Sequence, residues 1–270
     1  MLQLLKIEWL KLKNYKTFIR LAIVYYLLLL LVLCSIQIVL SWMTGQGMEF
    51  QGITPNIIPF YDFPDVWQNL AFLASIIKFF LAFIVIISVT NEYSFRTIRQ
   101  NVIDGMSPKS FLMSKQLMIF AFSLLNVLIL WLAGSIMGIA NSDTFEPQLY
   151  FMGMDFLLAH FIELVTFLNL AMLLSILMKK AGFAIIVICF YSLFVEPIAL
   201  GILGHITNDS WFLNLLPMNA VNNLVPFPFQ RYIFMEIQDY VSLQSVAIAL
   251  SWYFICLGIN YYILVKKDIA

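Results

Sequence analysis

Residues 21–43 read LAIVYYLLLLLVLCSIQIVLSWM, a stretch of 23 residues without a charged side chain. About 20 apolar helical residues cross the roughly 30 Å hydrocarbon core of a bilayer. Backbone groups in lipid find no water, so only a helix or a closed barrel satisfies their hydrogen bonds. Because residues 27–33 (LLLLLVL) lack the alternating polarity of a barrel strand, this stretch predicts a transmembrane helix.

Five further stretches have the same length and character, and the predicted spans are about 21–43, 66–89, 116–140, 156–178, 181–203 and 242–265. The composition of the whole chain agrees, with 62% hydrophobic and 11% charged residues and a mean hydropathy of +0.92. Soluble domains contain about 45–50% apolar and about 25% charged residues. We therefore predict an all-α membrane protein with six transmembrane helices, which form a single transmembrane domain over residues 1–270.

The charged residues divide unevenly between the two sets of connecting segments. One set holds thirteen of the fifteen Lys and Arg residues and has a net charge of +9, whereas the other set holds only Arg231 among them and has a net charge of −8. Lys and Arg concentrate on the cytoplasmic side of membrane proteins, so both termini are predicted to be cytoplasmic. We call the two ends of the molecule the basic side and the acidic side. The overall charge is zero, which argues against nucleic acid as a partner.

The first 16 residues, MLQLLKIEWLKLKNYK, alternate apolar and basic positions at helical spacing. One face carries Leu2, Leu5, Trp9 and Leu12, and the lysines lie toward the other face. This pattern predicts an amphipathic helix in the headgroup plane. The alternative is a positive flank that only orients the first span.

Residues 90–115, TNEYSFRTIRQNVIDGMSPKSFLMSK, form the one long connection on the basic side. Apolar residues recur at helical spacing at positions Phe95, Ile98, Val102, Ile103 and Met106. Gly105 suits the left-handed position that ends a helix, and Ser107 and Pro108 suit the start of the next one. The segment predicts a short amphipathic helix that offers a soluble partner a binding surface.

Two segments, KIEWLKLKNYKTF (6–18) and NEYSFRTIRQNVIDGMSPKSFLMSK (91–115), resemble the membrane subunit of type-2 ABC exporters, as does the six-span layout. The resemblance implies that residues 1–16 form an elbow helix and that residues 92–106 form a coupling helix seated on an ATPase subunit. It implies a re-entrant or interfacial segment between spans 5 and 6. It also implies a dimer with a second or homologous permease in a bacterial-type inner membrane, surrounded by membrane lipid.

The chain contains no G-x-x-x-x-G-K-[ST] phosphate loop among its 11 glycines. We therefore expect no cofactor in this chain and expect ATP and Mg²⁺ on a separate ATP-binding subunit. Our hypothesis is that this subunit is contacted through ion pairs and apolar anchors at Glu92, Phe95, Arg96, Ile98, Arg99 and Asp104.

Three charged residues lie inside the predicted spans, where each costs roughly 2.5–3.5 kcal/mol if unpaired. They are Lys78, Glu163 and Glu196, and His160 lies one turn from Glu163. Their similar depths predict one buried polar cluster, which lines a translocation path, acts as a latch that breaks when the path opens, or only fixes the packing of the helices. Pro197 predicts a bend in span 5 beside this cluster. Gly134 and Gly138 predict close packing of span 3, within the subunit or at a dimer seam.

Other functions remain open at this point. His160 and Glu163 share a helical face, as the acid and base of a membrane-embedded enzyme would. A non-transporting scaffold or immunity-type protein that binds a hydrophobic molecule has the same composition. The outer segment 204–241 is rich in Asn, Pro and aromatic residues, which predicts short interfacial helices.

Overall fold

In the computed structural model, the chain is described at residues 2–48, 59–103, 105–142, 146–206, 210–228 and 240–266. All regular secondary structure in these ranges is helical. The helices are α1 (Leu2–Lys13), α2 (Lys16–Gly45), α3 (Val66–Ser94), α4 (Thr97–Ile103), α5 (Pro108–Asn141), α6 (Pro147–Phe151), α7 (Asp155–Met178), α8 (Ala181–Phe190), α9 (Glu196–Ile206), α10 (Ser210–Leu213), α11 (Pro217–Asn222) and α12 (Leu243–Lys266).

Among the described residues, six helical stretches are long and apolar enough to cross a membrane, in agreement with the predicted number of spans. They contain α2, α3, α5, α7, the pair α8 and α9, and α12. The helices extend beyond the predicted apolar stretches; α5, for example, begins at Pro108 and includes Lys109 and Lys115. The terminal turns of a transmembrane helix can extend beyond the hydrocarbon and can therefore carry charged residues. Hydropathy alone thus underestimates helix length.

The core of the molecule lies between α3 and α7, which are also flanked by α2, α5 and α12. Leu70 and Leu81 of α3 and Phe167 and Leu168 of α7 are completely buried. By contrast, α2 and α8 carry large apolar side chains that point away from the protein, including Leu31 of α2. Such outward-facing apolar surfaces are compatible with lipid, whose chains are as apolar as leucine.

Gly134 and Gly138 pack against aromatic side chains of the same chain. A Cβ atom at Gly134 would lie 2.7 Å from the ring of Trp67, and one at Gly138 would clash with Phe63. The small residues on α5 therefore allow close packing within the subunit. This agrees with the first of the two interpretations of this pair.

The helix in the connection between α3 and α5 is shorter than predicted. Instead of one helix over 92–106, α3 continues to Ser94, the chain turns at Arg96 with a φ of 56°, and α4 covers only Thr97–Ile103. Gly105 has a φ of 90°, and the hydroxyl of Ser107 accepts a hydrogen bond from the backbone N–H of Ser110. The predicted turn and helix start are confirmed, because these signals are local.

A π-helical turn, Tyr191–Val195, separates α8 from α9. The N–H of Glu196 bonds to the carbonyl of Tyr191, five residues back. Pro197 follows directly and has no N–H to donate, so the regular hydrogen-bond ladder is interrupted here. The structure thus places a widened turn directly before Pro197, at the position where a bend was predicted.

The predicted short helices between spans 5 and 6 are present as α10 and α11. The side-chain amide of Asn219 donates to the carbonyl of Leu213 at 2.9 Å, and that of Asn223 donates to Asn214 at 3.0 Å. These amide contacts fold the segment onto itself. Residues 229–239 of the same connection lie outside the described part of the chain.

Candidate functional site

Two groups of buried charged side chains stand out. The first, which we call the basic-side cluster, consists of Glu8 and Lys11 from α1, Glu92 from the end of α3 and Lys115 from the start of α5. The ammonium of Lys115 lies 2.6 Å from a carboxylate oxygen of Glu92 and 2.9 Å from one of Glu8. The ammonium of Lys11 lies 3.4 Å from Glu92.

The basic-side cluster balances two carboxylates against two ammonium groups. Glu8, Glu92 and Lys115 are almost completely buried, and an unpaired charge at such a position costs several kcal/mol, by a rough estimate. Hydroxyl groups complete the network: Ser114 donates to Glu8 at 3.0 Å, and Thr97 donates to Glu92 at 3.4 Å. The cluster therefore joins α1, α3, α4 and α5 at one point.

A cavity of about 350 Å³ borders this cluster. It is lined by residues of α1, α3, α4 and α5 and of the turns beside them, among them Lys11, Tyr15, Asn91, Phe95, Gln100 and Lys115. The side chain of Lys11 is 31% exposed, so this end of the network is open to its surroundings. Glu8, Lys11 and Lys115 were not among the predicted site residues, although an acidic residue among lysines is a signal for internal pairing.

The predicted partner-binding residues fall into different environments. Phe95 is 68% exposed and Arg96 is exposed, so both are accessible on the basic side. Glu92 and Ile98 are buried, which corrects the expectation that they face a partner. The reason is tertiary packing: Glu92 pairs with Lys115, and Ile98 joins the apolar core.

The other two predicted contact residues cannot be placed by their side chains. The side chain of Arg99 and the whole of Asp104 lie outside the described residues. The last residue of α4, Ile103, is 84% exposed, and sequence analysis did not single it out as a contact. Together with Phe95 it presents apolar surface at the basic side, on either end of α4.

The second group, which we call the mid-membrane cluster, centres on Lys78 of α3 and Glu163 of α7. Their ammonium nitrogen and carboxylate oxygen are 2.6 Å apart. Nδ1 of His160 lies 2.9 Å from the other oxygen of Glu163, which also accepts a hydrogen bond from Ser75. Nε2 of His160 lies 3.1 Å from the amide oxygen of Asn126 on α5. The structure thus brings Lys78, His160 and Glu163 together, as their similar depths predicted.

Glu196 does not contact Lys78, which corrects the expectation of a single cluster. Its carboxylate accepts hydrogen bonds from the backbone N–H groups of Met218 and Asn219, at 3.1 and 2.5 Å. These groups open α11 and have no partner within that helix, so a carboxylate is a favourable neighbour. Lys78 donates to Asn222, at the other end of α11, at 2.8 Å. Helix α11 therefore contacts Glu196 at its start and, through Asn222, the Lys78–Glu163 pair at its end.

A third polar group, made only of uncharged side chains, lies between α5, α7 and α12. The side-chain amide of Gln116 donates to Asn169 at 2.9 Å, and that of Asn260 donates to the same Asn169 oxygen at 3.1 Å. The hydroxyl of Tyr253 donates to Gln116 at 3.3 Å. These residues were not among the predicted site residues, and the only signal for them in the sequence is an amide side chain within an apolar run.

Neither a family model nor a curated protein sequence matches this chain. Among the residues that the structure describes, no group of three or more His, Cys, Asp or Glu side chains is arranged to hold a metal ion. The features left for a functional proposal are the two charged clusters and the exposed apolar side chains of Phe95 and Ile103.

Proposed function

We propose that this chain is the membrane-spanning permease subunit of an ATP-driven ABC exporter. In this proposal two such subunits, identical or homologous, form the translocation path in a bacterial-type inner membrane, with the basic side in the cytoplasm. Separate ATP-binding subunits supply ATP hydrolysis. The six apolar helices and the charge asymmetry support the membrane arrangement, and the absence of a phosphate loop requires the separate motor.

The observation that carries the proposal is the exposed apolar pair Phe95 and Ile103 at the ends of α4 on the basic side. Aromatic and aliphatic side chains on a short helix are suitable anchors for a groove in a soluble partner. A basic residue, Arg96, lies beside Phe95 and adds a charge that an acidic groove would recognise. In this proposal α4 is the coupling helix.

The contacts beneath α4 explain how movement of this helix would reach the membrane spans. Ile98 is buried in the core, and the hydroxyl of Thr97 bonds to Glu92 at the end of α3. Glu92 is tied through Lys115 to α5 and through Lys115 and Glu8 to α1. A displacement of α4 would therefore move α1, the proposed elbow helix, together with spans 2 and 3.

Co-purification of the ATP-binding subunit tests this proposal. The double variant Phe95→Asp and Ile103→Asp places charges on the proposed docking surface and should retain at least about ten-fold less of that subunit. The matched control is Phe151→Asp, since Phe151 is also 68% exposed but lies on the acidic side.

Unchanged retention of the ATP-binding subunit in the double variant would contradict the proposal. Function that survives an inactive ATPase partner would favour the scaffold interpretation instead. Both variants alter exposed side chains, so their detergent-extracted yield and elution volume should match those of the wild type.

A further inference from the structure

A groove of about 490 Å³ runs between the third and sixth spans on the outer surface of the helix bundle. Lys109, Met113 and Phe120 of α5 line one wall, and Phe254, Gly258 and Tyr261 of α12 line the other. On each helix these residues recur at the spacing of a single face. The groove is therefore lined by one face of α5 and one face of α12.

The groove begins at the basic side and ends inside the hydrocarbon region. Lys109 is the second residue of α5, and Phe120 lies eleven residues further along it, which corresponds to about 16 Å at 1.5 Å per residue. The ring of Phe120 meets that of Tyr253 with 6.3 Å between centroids and closes the deep end. Because the predicted span of α5 begins at residue 116, Phe120 lies four residues, or about 6 Å, inside the hydrocarbon.

The mouth and the walls of the groove differ in chemistry. At the mouth, Lys109 is exposed, its ammonium lies 5.8 Å from the ring centroid of Tyr261, and no described carboxylate lies within ion-pair distance of it. Along the walls, Gln116 is already bonded to Asn169 and Tyr253. The walls therefore suit an apolar chain, and the mouth suits a negative charge.

We propose that this groove binds an anionic phospholipid of the leaflet on the basic side, with one acyl chain along the walls and the phosphate at Lys109. Basic pockets between transmembrane helices on the cytoplasmic side recognise anionic headgroups in this way. Gly258 adds no side chain to the groove, and a Cβ atom there would have no atom within 4 Å. The assignment does not depend on the proposed ATP-driven function.

Native mass spectrometry of the purified full-length chain tests the proposal. Phosphatidylglycerol should be retained more strongly than phosphatidylcholine with the same acyl chains. Lys109→Gln should weaken phosphatidylglycerol retention about five-fold, the equivalent of about 1 kcal/mol for one lysine at a membrane surface. The control Lys180→Gln removes another exposed basic-side lysine, which lies 6.0 Å from the ring of Phe183, and should leave retention unchanged.

A second pair of variants tests the walls separately from the headgroup. Gly258→Leu places a side chain in the groove and should reduce retention of both lipids. The control Gly182→Leu adds the same side chain at an exposed helical glycine that likewise has open space around it. Equal retention of the two lipids by the wild type, or equal effects of Lys109→Gln and Lys180→Gln, would overturn the proposal. Efficient Tyr261→Cys cross-linking between two copies would also overturn it, because the groove would then be a subunit contact.

Discussion

The basic-side cluster and the mid-membrane cluster both bury ion pairs, but they differ in their surroundings. The basic-side cluster contains two lysines and two carboxylates, borders a cavity and includes the partly exposed Lys11. The mid-membrane cluster contains one lysine and one carboxylate with His160, and none of these side chains is more than 4% exposed. One cluster lies at an open end of the bundle, and the other is sealed within it.

This difference indicates different mechanical roles. At the basic side, an ion pair that separates finds other charged partners nearby, so rearrangement of the network is comparatively cheap. In the middle of the bundle, separation of Lys78 from Glu163 leaves a charge in an apolar environment at high cost. The mid-membrane cluster therefore fixes α3 against α7, while in the proposed function the basic-side cluster would transmit movement from α4.

The largest loss of stability is expected when the buried ion pair of Lys78 and Glu163 is broken. Lys78→Met leaves the carboxylate of Glu163 buried without its cation, so the free energy of unfolding should fall by about 3–5 kcal/mol. Unfolding in mixed micelles titrated with sodium dodecyl sulfate measures this change. A loss below about 1 kcal/mol would show that the pair behaves like a surface ion pair.

The double variant Lys78→Met and Glu163→Leu is the matched control for that measurement. It removes both charges and replaces them with apolar groups of similar size, which is often neutral in buried sites. Stability should return to within about 1–2 kcal/mol of the wild type, because Asn222 and His160 still lose a partner each. Equal losses in the single and double variants would contradict a charge-based origin of the effect.

A smaller effect is expected at the centre of the basic-side cluster. Lys115→Met leaves Glu8 and Glu92 with Lys11 as their remaining cation, so unfolding should become easier by about 1.5–3 kcal/mol. The same titration measures it. If Lys115→Met proved as costly as Lys78→Met, the proposed contrast between the two clusters would be wrong.

A smaller effect, confined to the start of α11, is expected when Glu196 is replaced. Glu196→Ala removes the carboxylate that accepts from the first N–H groups of α11, and loss of such a cap costs roughly 1 kcal/mol. Amide hydrogen exchange should increase at Met218 and Asn219 and remain unchanged in α7. Unaltered exchange at both amides would show that the carboxylate does not hold α11.

The smallest effect is expected at Lys11. Its side chain is partly exposed and its contacts with Glu92 are long, so Lys11→Ala should change the free energy of unfolding by less than about 1 kcal/mol. Lys11 and Lys115 pair with the same two carboxylates but differ in burial. Comparing the two variants on the same titration therefore shows how much burial adds to the stability that each lysine contributes. A loss as large as that of Lys115→Met would place Lys11, rather than Lys115, at the centre of the cluster.

The sequence predicts those features of this protein that depend on short local patterns or on the depth of a residue along its apolar span. The spans follow from apolar length, the turn at Gly105 from backbone preference, and the contact between Lys78 and Glu163 from matching depth. The burial of Glu92 follows from its ion pair with Lys115, which joins α3 to α5 and which no short pattern specifies.

Two further features depend on how distant segments fold against each other. The partner of Glu196 is α11, which comes from a loop 22 residues away in sequence. The pairing of Glu8 with Lys115 joins residues separated by 107 positions. Hydrophobic periodicity identifies which segments form helices, but it does not assign neighbours among six similar apolar helices.

Site-specific photo-crosslinking at Phe95 in native membranes tests the central claim most directly. A photoreactive phenylalanine derivative at this exposed position should form an adduct with a protein that carries a phosphate loop and hydrolyses ATP. The same derivative at Phe151, on the acidic side, should not form it. If the Phe95 derivative yields no adduct with any ATP-hydrolysing protein, α4 is not a coupling helix and the chain is not the permease of an ATP-driven exporter.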